Sequence, residues 1–254
     1  MPDVDRLSQS ELTAMAECGR AALACDAALA SAGGILGAAL GHDAAPEAWR
    51  HYPAADVYDP ATHAQYFYHA HAVTERDGEH GHFHSFLRAR GMPSGVRPLV
   101  LPELAIADNP AAPASAPSAP QTAEGDDGDP WCHLVAVSMS AAGRPIKLFT
   151  TNRWVTGETW YRAADMVEML DCFALGAVGP APLLDRWITA LVGLYRPQIA
   201  ALIEARDAAI MDWRRRRRGT LHVFDDRRLE ITSTLDIEPE AQLRAVEAAL
   251  HAVA

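Results

Sequence analysis

Apolar residues recur at helical spacing from Leu12 through Met15, Ala16 and Leu23 to Leu29, and Ser8-Gln9-Ser10-Glu11 in front of them has the spacing of a capping box. A first helix is therefore predicted to run to Ser31 and stop at Gly33-Gly34. Residues 35–62 hold no sustained period and read as irregular, apart from a short helix over Pro46–His51, until Tyr52-Pro53 imposes extended backbone. From Gln65 to Arg88 aromatic and histidine residues alternate with a period of two, which predicts strands. A hairpin follows, with strands His133–Ser140 and Ile146–Thr151 about a turn at Ala141–Arg144. Helical spacing returns over Ala163–Phe173, Leu183–Tyr195 and Gln198–Trp213, with Pro197 breaking the longer run. A last hairpin, Leu221–Phe224 with Leu229–Ile237, precedes a terminal helix opening at Glu238-Pro239-Glu240 and ending near Ala252.

Strands grouped apart from helices, without regular alternation, predict an α+β fold: an antiparallel sheet with flanking helices. Residues 108–130 consist of Ala, Pro, Ser, Gly, acids and a few other polar residues, with no large apolar side chain to offset the entropy of ordering. They are expected to be a disordered Ala/Pro-rich insertion within one domain spanning 1–254. The formal charge of −11 opposes binding to nucleic acid or an anionic membrane. The basic run Arg214–Arg218 reads instead as a solvated helix end that complements the helix dipole. Cys18, Cys25, Cys132 and Cys172 form no C-x-x-C pair and are expected as reduced thiols. Met1–Arg6 has no secretory pattern, and Ala27–Gly41 is too short and too weakly apolar to span a bilayer, so a cytoplasmic location is expected.

Histidine placement changes the picture. Eight of the 11 histidines lie between His42 and His84, and five lie in the sixteen residues from His69. Alternate residues of a strand share a face, which pairs His69 with His71 and groups His80, His82 and His84. Asp77-Gly78 suits a two-residue hairpin turn, and closing it sets Arg76 opposite Glu79, His71 opposite His84 and His69 opposite Phe86. All five imidazoles then share one face, with Gln65 and Phe67, while Tyr66 and Tyr68 face away. Isolated histidines are mostly surface or satisfied core residues. Two converging H-x-H elements have the spacing a first-row transition ion requires, so zinc, iron, copper or nickel is the expected cofactor. His71, His82 and His84 are the expected ligands, with His69 as a fourth or in support of them, and His80 at the solvent edge.

Cupin, metallo-β-lactamase, H-E-x-x-H and facial-triad spacings are not matched. The block Gln65–His71 with Glu79–His84, followed by Thr151–Glu158, resembles an uncharacterised bacterial family of unknown function, a resemblance that implies no activity. His133 alternates with Val135, Val137 and Met139, which reads as a core histidine or a ligand from a neighbouring strand. Arg153, beside Asn152 and Trp154, has the chemistry to clamp a small anionic substrate or to pair with Glu158. Strict alternation sets Glu79 away from the imidazoles, which leaves Glu75 as the candidate general base. These residues point to a mononuclear metalloenzyme or, alternatively, to a non-catalytic metal-sensing, metal-carrying or partner-binding protein.

Overall fold

The structure is a computed structural model, and it describes residues 4–41, 46–48, 50–71, 78–99, 129–217 and 222–253. The first helix, α1 (Gln9–Leu29), begins where the capping box predicts: the Ser8 hydroxyl accepts from the Glu11 amide, and the Glu11 carboxylate accepts from the Ser8 amide at 2.8 Å. Gly33, at a positive φ of 89°, ends the helical turn that follows α1 and starts α2 (Gly34–Leu40). Pro46 to His51 is not helical among its described residues. Strand β1 (His51–Tyr58) starts there and holds a cis Tyr52-Pro53 bond, so the region read as irregular supplies a sheet edge.

Strands β2 (Ala64–Ala70), β3 (Glu79–Arg88), β4 (Trp131–Ser140), β5 (Pro145–Thr151) and β6 (Ile231–Asp236) complete the sheet. Every neighbouring pair is antiparallel, and the spatial order β1-β2-β3-β4-β5-β6 is the order along the chain. The fold is α+β, as predicted. Helices α3 (Arg153–Thr156), α4 (Ala163–Met169), α5 (Pro182–Leu194), α6 (Arg196–Arg216) and α7 (Pro239–Ala252) follow β5, with β6 between α6 and α7. The break between α5 and α6 falls at Tyr195, and Pro197 occupies the first turn of α6, where a missing N–H costs nothing. The predicted strand at 221–224 is not formed. Leu221 lies outside the described residues, and Val223–Asp225 make one 3-10 turn whose Val223 and Phe224 pack against Trp160. β6 pairs with β5 instead.

The two sheet faces differ in chemistry. Tyr66, Tyr68, Phe83, Val135, Val137 and Leu148 form one apolar core with α1, α2 and α5. Residues on α5 are buried nearly all round, as befits a helix enclosed by other elements. Its Asp185 is fully buried and satisfied: one oxygen accepts from the Tyr66 hydroxyl at 2.8 Å and the other from the Gly179 amide at 2.7 Å. The opposite face carries Phe67, Phe86, Phe149 and the histidines, also buried. Residues 100–128 are outside the described set, and with them nearly all of the expected disordered insertion at 108–130. No single helix among the described residues is long and apolar enough to cross a membrane; α1 and α2 pass that test only together, and they bend by 75°.

Candidate metal centre

β2 and β3 pair with His69 opposite His82, Phe67 opposite His84 and Gln65 opposite Phe86. This register is four residues away from the one set by a two-residue Asp77-Gly78 turn. Four is even, so the same side chains still share a face although their partners change. His71 accordingly lies beside His80, and its amide donates to the His80 carbonyl at 3.1 Å.

Two bulges then alter which side chains join that face. Between Glu79 and Gly81, β3 spends one residue more than β4, and between His133 and Val135, β4 spends one more than β3. The first reverses the parity of the residues before it. Glu79 comes onto the histidine face, and His80 leaves it to bond the Tyr68 hydroxyl at 2.6 Å. This corrects the expectation that Glu79 faces away and that five imidazoles gather. Burial holds the His80 imidazole below its ordinary value. The second bulge separates His133 from Val135 and Val137, turning it from the aliphatic core toward His84.

His69, His71 and His82 each offer a nitrogen, and the three nitrogens lie within 4.8 Å of one another. The imidazoles are buried, none more than 8 % exposed. His82 Nδ1 is 2.5 Å from Glu79 Oε1, and His71 Nε2 is 3.2 Å from the same nitrogen and 3.7 Å from the same oxygen. His82 Nε2 lies 3.0 Å from His84 Nε2, and His84 Nδ1 lies 3.0 Å from His133 Nε2. His133 Nδ1 is 3.3 Å from the Thr151 hydroxyl, and the Ser138 hydroxyl donates to Glu79 Oε2 at 3.1 Å.

A carboxylate only accepts, so His82 Nδ1 donates to Glu79. Donor counting then runs in one direction, from Thr151 through His133, His84 and His82 to Glu79. Burial, with the Arg206 guanidinium near, pushes the His133 imidazole down to about 3, which keeps it neutral. Phe67, Phe86 and Phe149 pack around these rings at centroid distances of 4.9 to 6.3 Å.

Glu75 is outside the described residues. Arg153 forms an ion pair with Asp225 rather than Glu158, and Asn152 and Trp154 bond the carbonyls of Val223 and Leu229. This group fastens the 222–230 loop to the end of β5. Glu158 is buried and accepts the His133 amide at 2.8 Å. His51 joins the histidine face opposite His69, stacked on Phe67 at 3.7 Å and bonded to Asp56 at 2.9 Å. Its segment carries no period-two pattern, so only the observed pairing locates it.

No curated protein and no solved structure matches the chain. A family described as a domain of unknown function matches residues 16–237. The matched span contains all six strands, both bulges and every histidine of the cluster. With the match running from within α1 to the residue after β6, the chain belongs to that family, Domain of unknown function (DUF6969).

Proposed function

We propose that this protein binds one first-row transition metal ion through His69, His71 and His82, with His84 as a fourth nitrogen ligand. The observation that carries the reading is the approach of three buried imidazole nitrogens to within 4.8 Å of one another. An imidazole-rich donor set suits zinc, iron, copper or nickel. Tetrahedral zinc sites hold each nitrogen at about 2.0–2.1 Å, so binding draws these rings inward by side-chain rotation. Glu79 supports the reading independently: a metal-binding histidine usually gives its other N–H to a carboxylate, which fixes its tautomer and raises its basicity. Ser138 in turn holds Glu79 through its second oxygen.

A bound ion of this kind supplies Lewis-acid or redox chemistry. In an enzyme, Glu79 stands where a carboxylate could hold a proton beside the centre. An anionic substrate would have to draw Arg153 away from Asp225. A metal-sensing or metal-carrying protein needs only the ligand set, and the burial of all four imidazoles together with the Arg153–Asp225 pair favours that reading over turnover.

The test is calorimetric titration of chelator-treated protein with zinc and with ferrous, cupric and nickel ions, beside His71→Ala and His82→Ala. One equivalent bound by the parent and lost in both variants, with unchanged far-ultraviolet circular dichroism, supports the proposal. Saturable binding that survives both substitutions, or none by the parent for any ion, overturns it. The donor chain from Thr151 to Glu79 would then be the purpose of the cluster.

A further inference from the structure

His51 is an imidazole of the histidine face that the proposed ligand set does not use. It lies on β1, at the edge of the sheet, and pairs directly with His69. Its side chain is 19 % exposed, while none of His69, His71, His82 and His84 is more than 8 % exposed. Its ring centroid is 6.5 Å from that of His69, whereas the His69 ring stands 4.9 and 4.3 Å from those of His71 and His82. His51 is therefore one step outward from the cluster, on a side that water reaches. The local backbone prepares it. Between Tyr52 and Val57, β1 spends four residues where β2 spends one, and the bowed chain returns Asp56 at a positive φ of 52°. A residue other than glycine rarely adopts that conformation, which here sets the Asp56 carboxylate against the His51 ring. One Asp56 oxygen lies 2.9 Å from His51 Nδ1, and the other accepts from Gln65 Nε2 at 2.8 Å. Gln65 Oε1 accepts in turn from Arg88 Nε at 2.7 Å, so three side chains fix the carboxylate and the ring it holds.

A carboxylate only accepts, so His51 Nδ1 carries the proton and Nε2 keeps its lone pair. Proteins use the same carboxylate–imidazole pairing to orient histidines toward metal ions, yet His51 stands outside the cluster. Resting on the metal centre proposed above, we infer that His51 is its transfer ligand. An ion arriving from solution exchanges one water for His51 Nε2, and then exchanges His51 for His69. A metal–nitrogen distance of about 2.0–2.1 Å sets each ring centroid about 3 Å from a shared ion, so the observed 6.5 Å is close to the span of that exchange. A residue that touches the ion only in transit lowers the barrier equally in both directions and leaves the affinity alone.

The test is stopped-flow mixing of chelator-treated protein with whichever of the four ions it holds by calorimetry, followed by release into excess chelator. His51→Ala and His51→Phe are compared with the parent; phenylalanine keeps a ring on Phe67 and removes the nitrogens, and it decides the matter where His51→Ala fails to fold. Association and release are both expected to slow at least tenfold, with the dissociation constant changed less than twofold. A smaller effect on the rates of folded variants overturns the inference and leaves the metal centre standing. A dissociation constant weakened tenfold through faster release also overturns it, because His51 would then be a resident ligand. If the parent holds none of the four ions, the metal centre itself falls and the transfer role falls with it.

Discussion

Burial raises the Glu158 carboxyl from 4.5 to about 7, against the opposing pull of Arg206 and of the His133 amide, Cys132 and Thr156. A raised carboxyl keeps its proton in the folded state while the unfolded chain has lost it. Stability from this group is therefore full below about pH 4.5 and declines as pH rises toward 7, where the loss levels off. The ceiling is roughly 3 kcal/mol. Glu158→Gln is expected to remove that decline, so urea denaturation at pH 5 and pH 8 should show a smaller difference in the variant than in the parent. Parallel pH profiles would show that Glu158 is not the responsible group. At this scale the sequence revealed which histidines share a strand face but not which of them touch. The H-x-H pairs were legible because strand parity alone assigns them a face. Glu79 and His133 were misplaced because each sits beside a bulge, where parity reverses without any change in residue type.

Among the elements, the β2–β3 ladder shows how a hairpin can keep its faces and change its partners. A favoured turn dipeptide at Asp77-Gly78 argues for one register, and the packing of two buried strands selects another four residues away. Gly81 pairs with Ala70 next to the bulge that turns Glu79 inward. A Cβ there would sit against the His69 carbonyl oxygen and 2.8 Å from Ala70 Cα. Gly81→Ala is therefore expected to cost about 2–4 kcal/mol, a loss typical of backbone strain in a core. Denaturant titration measures it, and a loss below 1 kcal/mol would mean that the bulge has room to relax. Long helices were legible from their caps and periods, because Ser8, Pro197 and Pro239 act locally. β1 was not legible: it lacks a period and owes its place to pairing with β2. The first strand of the last hairpin was an error of the same origin, since Val223 and Phe224 are held by Trp160 and not by a neighbouring strand.

Across the whole molecule, one sheet face is closed by helices around an apolar core, while the other collects imidazoles and phenyl rings. Folding then brings together the proposed ligands, and an ion that binds them in the folded state alone would add to stability by mass action. With free metal at a hundred times its dissociation constant, the gain is about 2.7 kcal/mol. For a chain of this size it raises Tm by about 5–10 °C. Scanning calorimetry with and without the ion identified by titration checks this, and His82→Ala should show no shift. The α+β class was visible in the grouping of elements. Which face the helices α1, α2 and α5 would cover was not, because helix placement is a tertiary fact that no local pattern encodes.

The base of the connection between β3 and β4 is tied by the Ala89 amide, which donates to the Pro130 carbonyl at 2.8 Å, and by Arg88 on the Asp129 carbonyl. Since β3 and β4 are neighbours in the sheet, these bonds and the ladder hold the two halves whatever the chain does between residues 99 and 129. A break in that connection would fall between two neighbouring strands of the sheet. All four proposed metal ligands belong to the piece before the division, while Ser138, His133 and Thr151, which brace them, belong to the piece after it. A severed protein would carry its coordinating groups on one fragment and their alignment on the other, making reassembly of the sheet the step that restores the centre.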